Sequence, residues 1–122
     1  MSARMSNINL LVRDVYASKQ FYTTVLGLTE PEERDGPPTM ALLYAGGCTL
    51  SLQDAEAIGR TPSASEGIEL GFEVEDVDAA WRAMRAAGAN VLGEPVEQSF
   101  GRTFDARDPD GHRLVIFRLN DR

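Results

Sequence analysis

Histidine and cysteine are nearly missing from this chain: its 122 residues hold one of each, His112 and Cys48. A lone cysteine excludes an internal disulfide and a cysteine-based zinc cluster. Its place in the strand-like run Cys48-Thr49-Leu50-Ser51-Leu52 predicts a buried, inert thiol. With one histidine and no serine placed beside it, no Ser-His-Asp arrangement can be built. No segment approaches the roughly 18 consecutive apolar residues of a membrane-spanning helix. Met1 to Met5 lack the apolar run of a secretory signal, so the expectation is a cytoplasmic protein. Basic residues are also scarce, 12 Lys and Arg against 19 Asp and Glu, for a net charge of −7. That balance predicts neither nucleic acid nor an anionic membrane as partner, because both require clustered cations. No glycine-rich loop opens a helix, and both predicted helices begin at an Asp that would repel phosphate. Nucleotide binding and phosphoryl transfer are thereby excluded.

What the chain does contain is a repeat. Asn7-Ile8-Asn9-Leu10-Leu11-Val12-Arg13-Asp14-Val15 is echoed by Glu69-Leu70-Gly71-Phe72-Glu73-Val74-Glu75-Asp76-Val77, 62 positions on. Each copy reads as an alternating apolar strand, an Asp cap, an amphipathic helix and a closing glycine. The first helix carries its apolar stripe on Val15, Ser18, Phe21, Tyr22, Val25 and Leu26 and ends at Gly27. The second carries Val77, Ala80, Trp81, Met84 and Ala87 and ends at Gly88. At helical spacing, Trp81 and Met84 read as core.

After the first helix, Leu28 to Glu33 predicts a weak strand, Asp35-Gly36-Pro37-Pro38 a loop, and Met40 to Tyr44 and Cys48 to Gln53 two strands joined at Ala45-Gly46-Gly47. Asp54 to Glu66 reads as a linker. In the second half, Glu69 to Val74 is a strand. Another starts at Ala89 to Leu92, bends at Gly93 and Pro95 and runs to about Gln98. Arg102 to Arg107 and Arg113 to Leu119 form a final hairpin, turned by Asp108-Pro109-Asp110-Gly111. The predicted fold is α+β: one domain over 1–122 made of two tandem β-α-β-β-β modules, about 5–53 and 67–122. Eight strands would form a cupped mixed sheet with the helices outside. Ile8, Leu10 and Val12 align with Leu70, Phe72 and Val74 on the helix side. Asn7, Asn9 and Leu11 align with Glu69, Gly71 and Glu73 on the other, predicting a polar concave face that holds a ligand.

The chain resembles the vicinal oxygen chelate superfamily, which includes glyoxalase I, extradiol dioxygenases and bleomycin-resistance proteins. The resemblance rests on Val12-Arg13-Asp14-Val15-Tyr16-Ala17-Ser18-Lys19-Gln20-Phe21-Tyr22 with Leu26-Gly27-Leu28. In the second half it rests on Val74-Glu75-Asp76-Val77-Asp78-Ala79-Ala80 and Asp108-Pro109-Asp110-Gly111-His112-Arg113-Leu114. It implies paired modules around one site and commonly a homodimer. Metal-using members place His, Glu or Gln at four strand positions, and the resemblance carries these to Asn7, Ser51, Glu69 and Val115. A catalytic first-row metal needs about three imidazole or carboxylate ligands. Here one carboxylate remains, so neither metal nor cofactor is expected, and His112 is expected to face water in its turn.

The resulting expectation is a metal-free binding protein of the bleomycin-resistance type that sequesters a small aromatic or cationic organic molecule. Asn7, Asn9, Ser51 and Glu69 would supply hydrogen bonds and charge. Val115, Phe104 and Phe117 would supply apolar wall, with core packing the equal alternative for the two phenylalanines. Glu69 could instead be the base of a glyoxalase-like lyase or isomerase, or a rim carboxylate paired with Arg102 or Arg113.

Overall fold

A computed structural model describes residues 1–31 and 39–120. The loop expected at 35–38 lies outside the described residues, as does the end of the weak strand expected from Leu28 to Glu33. The chain divides into two compact units, Met1–Ser63 and Ala64–Arg122. The fold is α+β, with eight strands shared between two sheets and two α-helices among the described residues.

The first unit runs β1 (Asn7–Val12), α1 (Val15–Gln20), β2 (Met40–Tyr44) and β3 (Thr49–Asp54). Its sheet has the order β1-β3-β2, with β1 parallel and β2 antiparallel to β3. Of the weak strand expected after α1, a single bridge from Thr29 to Tyr44 is seen. The second unit runs β4 (Glu69–Glu73), α2 (Val77–Ala86), β5 (Asn90–Val91), β6 (Val96–Glu97), β7 (Gly101–Arg107) and β8 (Arg113–Leu119). Its order is β4-β8-β7-β5, with β6 also on β7. The expected bend at Gly93 and Pro95 is the break between β5 and β6. Thus β1, β2 and β3 occupy the places of β4, β7 and β8, and the strands divide three and five.

The repeat reaches the helix caps. The Asp14 carboxylate accepts the Ala17 N–H at 3.1 Å, and the Asp76 carboxylate accepts the Ala79 N–H at 3.0 Å. Each cap satisfies one orphan donor of the first turn, worth about 1 kcal/mol. Helix α2 closes at Gly88 (φ +80°), with Ala89 N–H donating to Met84 O and Gly88 N–H to Arg85 O, both at 3.0 Å. Helix α1 ends differently. Residues Phe21–Val25 widen into a π turn, and after Gly27 the Leu28 N–H reaches Tyr22 O at 2.9 Å, one residue wider than in α2. The Thr23 and Thr24 hydroxyls bond the carbonyls of Lys19 and Gln20, drawing those acceptors out of the regular ladder.

Helix α1 packs on β2 and β3, and α2 on β5, β7 and β8. Val12, Tyr22, Leu43 and Leu52 are fully buried in the first unit, and Leu114, Ala106 and Ile116 in the second. Met84 and Val77 are buried as expected. Trp81, expected in the core, is half-buried instead. Its Nε1–H donates to Gly93 O at 2.8 Å, and the Arg85 guanidinium stacks 4.7 Å from its ring. Cys48 is half-exposed rather than buried, because β3 begins one residue after it.

Candidate functional site

In the first unit the expected polar residues meet in one hydrogen-bonded chain. Parallel register sets Asn7 beside Thr49, Asn9 beside Ser51 and Leu11 beside Gln53. The Thr49 hydroxyl donates to Asn7 Oδ1 at 2.7 Å, and Asn7 Nδ2–H donates to Ser51 Oγ at 3.2 Å. The Ser51 hydroxyl donates to Asn9 Oδ1 at 2.7 Å, and Asn9 Nδ2–H donates to Gln53 Oε1 at 2.9 Å. Every donor points the same way along this chain, so each bond polarises the next. Ser51, at its middle, is 2% exposed. Thr49 and Gln53 were missed by the sequence reading, although Thr49-Leu50-Ser51-Leu52-Gln53 alternates polar and apolar as strictly as β1 does.

The matching face of the second unit is built from ions and apolar groups. Register places Glu69 beside Arg113, Gly71 beside Val115 and Glu73 beside Phe117 on β4 and β8. On β7, Arg107, Asp105 and Thr103 oppose the same three β8 residues. The Phe117 ring lies over Gly71, where an added Cβ would stand 3.2 Å from the ring edge. Arg113 donates twice to Asp105 Oδ2, at 2.6 and 3.1 Å. That bond, opposed by desolvation and reinforced by the charges of Asp105, Glu69 and Glu66, raises the guanidinium above its ordinary value. Arg107 donates to Gly111 O at 2.8 Å and approaches Glu66 at 3.5 Å. The Glu69 carboxylate is exposed and takes no hydrogen bond from the described residues. Its register neighbour Arg113 bonds Asp105, and Glu69 acts on that guanidinium through charge alone.

The structure therefore brings Asn7, Asn9 and Ser51 together, and separately sets Glu69, Val115 and Phe117 on one sheet face. Phe104 is a correction. It pairs with Ile116, is 2% exposed and lies on the opposite face of the sheet with Leu114, so it is core rather than pocket wall. Arg102 shares that face and cannot serve Glu69. It grips Asp78 of α2 with two bonds of 2.9 Å and reaches Glu97 at 3.1 Å. The bond to Arg102 holds the Asp78 carboxyl below the usual carboxylate range, against a smaller opposing desolvation. His112 is corrected as well. Its side chain is 14% exposed, and Nδ1 sits 2.8 Å from the fully buried Asp108 carboxylate rather than facing water. The other Asp108 oxygen accepts the backbone N–H groups of Asp110 and His112.

The donor set does not fit a catalytic divalent metal. Asn7 and Ser51 are neutral and already bonded to protein, Val115 offers no donor atom, and Glu69 is one carboxylate. Among the described residues no three His, Cys, Asp or Glu side chains gather as a metal centre.

The family model described as the Glyoxalase/Bleomycin resistance protein/Dioxygenase superfamily matches residues 4–116. The chain belongs to that superfamily. A solution structure of a protein from Agrobacterium tumefaciens is 32% identical, with TM-score 0.78, covering 97% of this chain and 98% of that one. A glyoxalase/bleomycin resistance protein/dioxygenase family enzyme from Burkholderia phytofirmans PsJN is 25% identical, with TM-score 0.81, covering 96% and 99%. A lactoylglutathione lyase from Agrobacterium tumefaciens shares the fold at 19% identity, with TM-score 0.73, covering 96% and 94%. No curated protein matches the chain.

Proposed function

We propose that this member of the superfamily binds a small organic molecule without a metal, as a sequestering protein of the bleomycin-resistance type, and works as a homodimer. The observation that carries the reading is the fate of the family's four ligand positions. Two are neutral side chains bonded to each other, one is a valine, and one is a carboxylate with no hydrogen-bond partner among the described residues. Binding without chemistry requires only apolar contact and a few polar anchors. The second unit's sheet face supplies both, with Val115 beside Gly71 and the Phe117 ring over Gly71 on the same face as Glu69. Both arginines on that face pair with other carboxylates, so Glu69 feels the Arg113 charge without a hydrogen bond of its own and can still face a second cation. An aromatic or aliphatic organic cation answers that chemistry.

The test is a thermal-shift screen of the full chain against organic cations, neutral aromatics and organic anions. A cation at about a hundred times its dissociation constant should stabilise the protein by about 2.7 kcal/mol. Glu69→Gln should abolish that shift while leaving the unliganded melt in place. Stabilisation by anions alone would contradict the reading.

The exposed Glu69 carboxylate, without a hydrogen bond from the described residues, also supports a second reading, a glyoxalase-like lyase or isomerase in which Glu69 removes a proton. Turnover of a stabilising ligand, lost in Glu69→Gln, would replace binding with catalysis.

A further inference from the structure

We infer that Asn7, Asn9 and Ser51 form a structural ladder between β1 and β3 rather than a ligand-contacting surface. Discrimination of ligands then falls on Glu69, Val115 and Phe117 of the second unit. This deepens the binding reading above and rests on it only where a ligand is measured.

The Ser51 hydroxyl has one proton, and Asn9 Oδ1 receives it at 2.7 Å; the Ile8 carbonyl at 3.5 Å is too far to compete. Asn7 Nδ2–H fills a Ser51 lone pair, and Thr49 supplies a proton to Asn7 Oδ1 at 2.7 Å. The run Thr49–Asn7–Ser51–Asn9–Gln53 crosses between the two strands at every step. A ligand or cation approaching Ser51 would have to break a link whose neighbours depend on it, at a residue 2% exposed. At the matching sheet positions of the second unit stand Glu69 and Gly71 on β4 and Arg113, Val115 and Phe117 on β8. Gly71, Val115 and Phe117 carry no polar side-chain atom, so the neutral ladder of the first unit is not repeated across those positions.

Nuclear magnetic resonance of the labelled full chain tests the assignment. In the native protein the side-chain amides of Asn7 and Asn9, exposed but each held through one N–H, should exchange more slowly than that of the exposed Asn90. Ser51→Ala should accelerate both, and Ser51→Thr should keep them slow. If Ser51→Ala fails to fold, Thr49→Val cuts the same ladder at its outer end and should speed exchange at Asn7. Manganese(II) chloride, added as a paramagnetic probe, should broaden Asn7, Ser51 and Glu69 no more than an exposed carboxylate such as Glu56. For a cation found by screening, Thr49→Val should change affinity by no more than about twofold and Glu69→Gln should weaken it about tenfold or more. Selective broadening of Asn7 and Ser51 at one manganese per chain would overturn the inference, as would unchanged amide exchange in Ser51→Ala. If no organic ligand is found, the binding reading fails while the exchange and manganese results still decide the ladder.

Discussion

The two halves share a topology and a pair of caps, yet their sheet faces have diverged completely. In the first, β1 and β3 carry neutral side chains that satisfy one another, from Thr49 through Gln53. In the second, β4, β7 and β8 carry Arg113 with Asp105, Arg107 with Glu66, a Glu69 coupled to Arg113 by charge alone, and Phe117 over Gly71. The helix-facing sides diverged far less, since Leu50 and Leu52 correspond to Leu114 and Ile116, all 3% exposed or less. Packing against a helix tolerates only apolar volume at those positions, whereas the outer face is free to change chemistry without unfolding the module.

The largest expected effects test the equivalence of the cores. Leu52→Ala and Ile116→Ala each remove a fully buried side chain and should cost about 2–5 kcal/mol in urea melts. A cost below about 1 kcal/mol at either site would break the correspondence between the modules.

The next effect separates the faces. Ser51→Ala should cost about 1–3 kcal/mol, because Asn7 Nδ2–H and Asn9 Oδ1 lose their shared partner. Val115→Ala, at the matching and half-exposed position, removes only apolar contact and should cost about 1 kcal/mol or less. Equal costs would mean that the ladder adds nothing beyond packing.

The smallest effect concerns pH. The Asp78 carboxyl is held low by Arg102, so its contribution is present above the unfolded carboxylate pKa and is lost as pH falls through the lower folded value. Asp78→Asn should therefore lower stability at neutral pH and converge on the native protein at acid pH, where the Asp78 carboxyl is protonated, so that the acid limb is flatter. Salt should shrink the difference, since the pair is partly exposed. An unchanged acid limb in the variant would show that the pair is idle.

Much of the fold was legible because its signals are local. Asp14 and Asp76 precede apolar stripes, Gly27 and Gly88 follow them, and strict alternation fixes which residues of β1 and β4 face the helices. Phe104 was not legible, and its error has one cause. Had Arg107 paired with His112, Phe104 would stand opposite Val115, on the same face as Phe117. The observed loop includes His112, pairs Arg107 with Arg113, and moves the register by one. A shift of one residue exchanges every side chain between faces. The buried Asp108 carboxylate, holding the backbone and ring of His112, fixes that extra residue in place. The π turn after α1 was hidden for a related reason, since Thr23 and Thr24 fit a helical stripe by type while their hydroxyls compete for its carbonyls.

At the site, the four family positions came from the resemblance to the superfamily, and their poverty in donor atoms was readable from residue type alone. The partners that complete the ladder were not, because they depend on which β3 residue sits beside which β1 residue. The most direct measurement is the metal content of untagged protein after incubation with manganese, nickel and zinc and removal of excess ion. A face closed by its own hydrogen bonds predicts far less than one ion per chain and a melting temperature indifferent to chelator. One ion bound per chain, with stability lost when it is stripped, would contradict it.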